Sequence, residues 1–434
     1  MSALARYFNA HGVSVTGFDK VETDLTQELV SEGITIYYQE DEKHLESHFD
    51  LVVYTPAIPQ DNIEYQCAIR EELPLKKRAE VLGEIVNEGY VIAVAGTHGK
   101  TTISSMIAHT LQFAGINCTA FIGGISVNFN SNFVKGDDRV FVVEADEFDR
   151  SFHQLKPDLA IITAIDNDHL DIYGNRKNLV DAYRLFISNI KKDGKLIHHL
   201  NIEENLKDSA ESVITYHLND SIADYYTLRN EVDNSCHNEV IVPSLGASES
   251  LPLILQIPGA YNVENALATF IISSYLAISK PTILKALQQF NGIKRRFQII
   301  ANTLEQVIID DYAHVPQELK VLLEAVKEEY PKRKMTVVFQ PHLFSRTRDL
   351  QVEFAESLQI ADNVKLMEIY PAREKAIPGV SASLILKRLD KVDQQVYDHA
   401  TIVNRLQAEK PELLVIVGAG DIEKIIGELK IGLN

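Results

Sequence analysis

Seven residues, Gly96, Thr97, His98, Gly99, Lys100, Thr101 and Thr102, follow the apolar run VIAVA. They precede a helical pattern in which Ile103, Ile107 and Leu111 recur on one face. Glycines between a strand and a helix N-terminus leave backbone N–H groups free, and the helix dipole adds to them, so a phosphate is favoured there. Lys100 supplies a point charge for outer phosphates, and the Thr101 hydroxyl a ligand for Mg2+. The strict phosphate-loop spacing is not met, because Val94 stands where its first glycine belongs. An ordinary turn capped by a threonine is the alternative.

Mg2+ needs further hard oxygen ligands. The next apolar run ends VVEAD, which sets Glu144 and Asp146 at a strand mouth, and the following one runs into AIDNDHLDIYG. Glu144 is the first choice for a carboxylate ligand. His169, flanked by Asp168 and Asp171, is the candidate for a second metal, against the plainer reading of a structural histidine. Two cations make sense where two anions must meet. Polar residues also close the apolar runs at 310–314 (DDYAH) and 340–342 (QPH). In open parallel sheets that edge is where ligands bind.

The elements that must hold these residues fall into three blocks: 1–88, 89–296 and 297–434. The first alternates SALARYFNAHG and TDLTQELVSEG, both helical, with the strand-like VSVTGFD, ITIYY and DLVVYTPA, which reads as a parallel α/β sheet. The second carries YVIAVA, RVFVVEAD and DLAIITAI, and then an acidic stretch near 201–250 expected to be irregular surface excursions. The third repeats the α/β logic with QVIIDDYA, KMTVVFQP, NVKLMEIYP and LLVIVGAGD. A chain of 434 residues exceeds one ordinary core. No apolar run approaches the roughly 18 residues of a bilayer span, so no membrane insertion is expected. MSALARYFNAHG lacks the pattern of a signal peptide. Cys67, Cys118 and Cys236 form neither a disulfide framework nor a zinc spacing, which fits a reducing cytoplasm. With 42 Lys and Arg against 61 Asp and Glu, the formal charge of −19 repels polyanions, and no nucleic-acid partner is expected.

GTHGKTT, EADEFDRSF, DNDHLDIYG, PGAYNVENALA, RRF, DDYAH, QPHLFSRTRDL and YPAREKAIPG occur in one order along nearly the whole chain. In this it resembles the Mur ligases of peptidoglycan synthesis, most closely the branch that adds L-alanine to UDP-N-acetylmuramate. The resemblance implies three α/β domains: an N-terminal Rossmann-like domain for the UDP-sugar, a central P-loop ATPase-type domain, and a C-terminal Rossmann-like domain. It implies ATP-dependent amide formation through an acyl phosphate, with Mg2+ as cofactor, in a cytoplasmic monomer or weak homodimer. Lys100, Glu144, His169 and His314 then form the catalytic set. Thr101, Glu144 and His169 hold metal. Asn262 and Asn265 match the positions that reach adenine, where a side-chain amide offers both donor and acceptor. Arg296 and Asp311 match contacts to the phosphates and ribose. His314 and Arg346 match the amino-acid pocket, where Arg346 pairs with the alanine carboxylate. Asp19, Thr55 and Asn62, with Gly123 and Gly124 of the central block, are the substrate candidates.

The sequence departs from the family at Val315, where a second histidine is common, and at Leu343, where some members carry arginine. Both bear on alanine specificity. Family members also open on a strand and a glycine-rich turn before a sequence like MSALARYF, so the first domain is expected to lack its first strand. Three rival readings stand: a ligase that recycles a tripeptide onto the same sugar nucleotide, a P-loop ATPase, and an inactive homologue. A dehydrogenase is disfavoured, since the first block has no GxGxxG.

Overall fold

The computed structural model describes residues 1–45, 49–166, 170–202, 206, 210–232, 235–242, 248–372, 374–390 and 392–429. The chain packs as two compact units, one of Met1–Gln256 with Tyr261–Asn291, the other of Ile257–Ala260 with Gly292–Asn434. Among the described residues, no helix is long and apolar enough to cross a membrane.

The first unit begins α1 (Ser2–Ala10), β1 (Thr16–Phe18), α2 (Asp24–Ser31), β2 (Thr35–Tyr37), β3 (Val52–Tyr54), α3 (Ile63–Arg70), β4 (Leu75–Lys77) and α4 (Arg78–Val86). Thr23 and Thr26 form a reciprocal cap that starts α2, and the Asn62 side chain caps α3. The alternation is as expected, but the single sheet is not. β1 pairs in parallel with β2 and β3 with β4, as two separate sheets. These strands are three residues long, and no described strand pairs with both β1 and β3. The block is instead held by its helices: Leu4 of α1 and Val81 and Val86 of α4 share one apolar core with Val91, Phe121 and Phe133. The buried Arg6 guanidinium donates to Asn132 Oδ1 at 2.8 Å and to the Glu32 carboxylate at 2.8 and 2.9 Å.

A ten-stranded sheet follows. Its strands are β5 (Tyr90–Ala95), β6 (Thr119–Ser126), β7 (Ser131–Val134), β8 (Val140–Glu144), β9 (Leu159–Ile162), β10 (Lys195–His199), β11 (Val213–Leu218), β12 (Tyr225–Val232), β13 (Ser235–Val242) and β14 (Glu249–Leu253). The spatial order is β14-β13-β12-β11-β10-β9-β5-β8-β6-β7. β5 is central and buried on both faces from Val91 to Ala95, as a run of uninterrupted apolar residues requires. Helices α5 (Lys100–Phe113), α6 (Leu170–Tyr173), α7 (Arg176–Ser188), α8 (Ala260–Tyr275) and α9 (Lys280–Gln288) complete the region. The acidic stretch near 201–250 is not an irregular excursion. β11 to β14 extend the sheet through it, β12, β13 and β14 as an antiparallel ladder. The ladder's backbone bonds, and not apolar periodicity, make these segments strands.

The second unit has a six-stranded sheet: β15 (Gln298–Asn302), β16 (Val307–Asp311), β17 (Met335–Phe339), β18 (Asn363–Met367), β19 (Val392–Tyr397) and β20 (Leu413–Val417). The order is β15-β16-β20-β17-β18-β19, with only β15 antiparallel to its neighbour. Helix α10 (Pro316–Glu329) opens on a proline whose missing N–H and fixed φ suit a helix start, and α11 (Phe344–Asp349) follows β17. The four apolar runs read from the sequence are β16, β17, β18 and β20.

Candidate functional site

β5 lies between β8 and β9, and the chain leaves its C-terminal end through residues 96–99 into α5. Gly96 and Gly99 have φ of +119° and +80°, the region glycine enters without steric penalty. A Cβ at Gly96 would stand 2.2 Å from Thr163 Oγ1 and 2.7 Å from the Thr163 nitrogen. The end of β9 therefore presses on the loop and braces it. Thr97 N–H donates to Ala164 O at 3.0 Å, Asp166 N–H to Thr97 Oγ1 at 2.9 Å, and the Thr163 hydroxyl to His98 O. His98 pairs with Asp166 at 3.1 Å. Gly99 is the N-cap of α5 and brings no side chain to its first N–H groups, so these remain for an anion.

Lys100, the first residue of α5, bends back over the loop. Its Nζ donates to Gly96 O at 2.7 Å and to both oxygens of Glu147 at 2.9 Å. Glu147 is 2% exposed and Lys100 14%. Burial alone would lower the lysine pKa, but Glu147, Glu144 and Asp146 outweigh it and raise it, so the ammonium stays charged. Burial raises the Glu147 carboxyl and Lys100 opposes that shift. With both oxygens bonded to an ammonium, the two are an ion pair. Glu147 was missed by sequence reasoning, which stopped at Glu144 and Asp146; the third acidic residue of EADE was the available signal.

Glu144 ends β8 opposite the glycines of β6. Gly123 N–H donates to Glu144 Oε2 at 2.8 Å, and a Cβ at Gly123 would meet that oxygen at 2.4 Å. Glu144 and Gly124 are half-buried, as are Thr101 and Thr102 on the first turn of α5. Asp146 accepts the Phe148 N–H at 3.0 Å. His169 and Asp168 lie outside the described residues.

Asn262 and Asn265 are buried in the first turns of α8, with Asn265 Nδ2 donating to Asn262 Oδ1 at 3.2 Å. A Cβ at Gly99 would stand 2.7 Å from Asn265 Oδ1, so the amide pair abuts the glycine loop. The first block's candidates stand apart from this cluster in their local roles. Asp19 is exposed after β1 and accepts the Val21 N–H at 3.2 Å. Thr55 Oγ1 accepts the Ala57 N–H at 3.0 Å, and Asn62 Oδ1 accepts the Tyr65 N–H at 2.9 Å. Asn62 Nδ2 is buried without a partner.

In the second unit, Asp311 is buried at the end of β16 and accepts Phe297 N–H at 2.6 Å and Ala313 N–H at 2.7 Å. Burial raises its pKa, with the Arg296 guanidinium and these N–H groups opposing. Arg296 is exposed and lies 5.5 Å from the centre of the Tyr312 ring. His314 Nδ1 stands 3.1 Å from Tyr312 O and 3.3 Å from Glu318. Burial lowers its pKa, Glu318 opposes, and Arg346 and Arg296 lower it further. The structure thus brings His314 within the electrostatic reach of both arginines. His342, the last residue of the QPH end read from the sequence, packs 5.9 Å from the His314 ring and 5.8 Å from Tyr370, a neighbour that the sequence reading did not single out.

Three comparisons agree with this arrangement. Residues 1–90 match the Mur ligase family catalytic domain, 94–273 the Mur ligase middle domain, and 295–421 the glutamate ligase domain of Mur ligases. A UDP-N-acetylmuramate–L-alanine ligase of Cytophaga hutchinsonii is 38% identical over 448 residues, covering 99% of the chain and 94% of the relative. The crystal structure of the UDP-N-acetylmuramate-alanine ligase of Thermotoga maritima superposes with a TM-score of 0.81 at 29% identity, covering 99% of the chain and 95% of its own. A murein peptide ligase of Psychrobacter arcticus follows at 0.71 and 25%, with the same coverage. Three matched domains in order and a relative aligned over 99% of the chain and 94% of its own length leave one conclusion: the chain belongs to the Mur ligase family.

Proposed function

We propose that the chain joins L-alanine to the carboxylate of UDP-N-acetylmuramate, with ATP as phosphoryl donor. The carrying observation is the half-buried, charged Lys100 folded back over a glycine loop at the head of α5. A substrate carboxylate oxygen attacks the γ-phosphorus and ADP leaves, which gives an acyl phosphate. The alanine amino group then attacks the acyl carbon, and inorganic phosphate departs with the former carboxylate oxygen. Lys100 and the first N–H groups of α5 stabilise the charge that develops on the transferring phosphoryl group.

The residues present fit a magnesium ion. Glu144 is half-buried with one oxygen held by Gly123 N–H, and three carboxylates, Glu144, Asp146 and Glu147, act on the single Lys100 ammonium. Such an excess of hard oxygen suits a second cation. Thr101 and Glu144 are assigned to it, and His169 with Glu144 to another. Bound there, Mg2+ supplies neutralisation of phosphate charge.

Asn262 and Asn265 are assigned to adenine, and Gly96 to Thr102 to the phosphates. Arg296 and Asp311 are assigned to ATP, and His314 and Arg346 to L-alanine. Asp19, Thr55, Asn62, Gly123 and Gly124 are assigned to the UDP-sugar. The blocks 1–88, 89–296 and 297–434 serve the UDP-sugar, ATP, and ATP with alanine, in a cytoplasmic monomer or weak homodimer. Identity of 38% with an alanine-adding relative, and a TM-score of 0.81 to an alanine-adding structure against 0.71 to a murein peptide ligase, support this reading over tripeptide recycling. The test is phosphate release from ATP with UDP-N-acetylmuramate and either L-alanine or the tripeptide, with mass detection of the product. Release that needs both UDP-N-acetylmuramate and L-alanine is expected. Hydrolysis indifferent to the sugar nucleotide, or preference for the tripeptide, overturns it.

A further inference from the structure

A second cluster of ligating groups lies away from the phosphate loop, where β10 and β11 end beside α8. His199 closes β10, His217 lies near the end of β11, and Glu264 is on the second turn of α8. One donor atom from each lies within 4.8 Å of the other two. His199 Nε2 is 3.2 Å from Glu264 Oε1, and the two imidazole rings are 5.0 Å apart, inclined at 44°. Two ties hold the frame. His199 is in parallel register with Tyr216, and Leu218 N–H donates to Glu264 Oε1 at 3.3 Å, which ties α8 to β11.

We propose that His199, His217 and Glu264 form a binding site for a zinc-like divalent cation, separate from the Mg2+ ligands. Two imidazoles and one carboxylate are a donor set suited to Zn2+ and its neighbours, whereas Mg2+ takes oxygen. The plainer account is a hydrogen-bonded histidine–glutamate pair. That account leaves His217 Nδ1, which is buried and has no hydrogen-bond partner, unexplained. A cation gives that lone pair an acceptor. Tetrahedral ligands at about 2.1 Å from zinc lie about 3.4 Å from one another, so the three atoms close by small rotations of flexible χ angles. His199 must then carry its proton on Nδ1 and give up the 3.3 Å contact from the Asn201 N–H. Three protein ligands leave a fourth position to water. The cation pins α8 to the ends of two strands.

The full-length protein, stripped with EDTA and kept in excess MgCl2, is titrated with ZnCl2 by calorimetry and by thermal melting. One saturable site and a raised melting temperature are expected, and Co2+ in its place should show the visible absorption of a tetrahedral ion. His199→Asn, His217→Asn and Glu264→Gln should each weaken Zn2+ binding about 100-fold or more, since loss of even an outer partner costs 10–100-fold. Their metal-free melting temperatures, near that of the parent, show that the fold survives. His199→Asn alone suffices as the check if another variant does not fold. Absence of saturable Zn2+ binding, or binding of undiminished strength in the folded variants, overturns the proposal.

Discussion

The Lys100 ammonium stands 2.9 Å from both carboxylate oxygens of Glu147, in a pair almost closed to solvent. Under the proposed function, a phosphate entering the loop meets a cation already held in place by its own counter-ion. Removing either partner leaves the other charge buried and unpaired, which costs about 3–5 kcal/mol. Lys100→Ala should lower turnover at least about a hundredfold. In a double-mutant cycle, Lys100→Ala with Glu147→Ala should lose less stability than the two single losses summed. Additive melting data would show that the pair has no coupling.

The two glycines near the site should respond differently. Gly96→Ala puts a Cβ against the backbone of Thr163 at a φ of +119°, and should lower stability by about 1–3 kcal/mol while weakening ADP binding. Gly123→Ala meets only the end of the Glu144 side chain, which can turn away. It should leave the melting temperature nearly unchanged and raise the Mg2+ concentration needed for half-maximal activity. Equal loss of stability in both variants would contradict this.

Arg346 tests the amino-acid assignment. Arg346→Ala should raise KM for L-alanine about tenfold or more with little change in KM for ATP, because a guanidinium–carboxylate fork is lost. Arg346→Lys should restore only part, since a lysine cannot reproduce the fork. A matching rise in both KM values would place Arg346 elsewhere.

Asp310 gives a pH dependence. Burial, opposed by Arg295 and aided by Asp311 and Glu423, raises its carboxyl from 3.8 to about 7. A carboxyl raised on folding stabilises fully below its unfolded pKa and loses that contribution as pH climbs through the folded value. Between 3.8 and about 7 the loss is at most about 1.4 kcal/mol per pH unit. Asp310→Asn should therefore flatten the fall in melting temperature between pH 4 and about 7 that Asp310 contributes. Parallel curves for the two proteins would remove Asp310 as the source.

The strand–loop–helix around Gly96 and Gly99 was legible because its signal is local: two glycines, a lysine and a threonine directly after an apolar run. Glu144 and the end of β16 were legible for the same reason. Glu147 was not, since its role depends on a fold that buries it against Lys100. The strands β11 to β14 were hidden because acidic and polar residues between them dominate the stretch, and only pairing along the sheet defines them. His199, His217 and Glu264 are far apart in sequence and meet through a strand register that no spacing rule reveals. Short β1 to β3 were found as strands and β4 was not, and the division of the four into two sheets follows from pairing alone.

Arg6 ties the small first block to the large sheet. It sits buried among Glu32, Glu28 and Asn132, while Leu4 and Val81 share a core with Phe121 and Phe133. A block with two-stranded sheets of three-residue strands has little cohesion of its own. Its melting is therefore bound to that of the neighbouring sheet, and the first 291 residues, apart from the short segment Ile257–Ala260, should come apart as one cooperative endotherm.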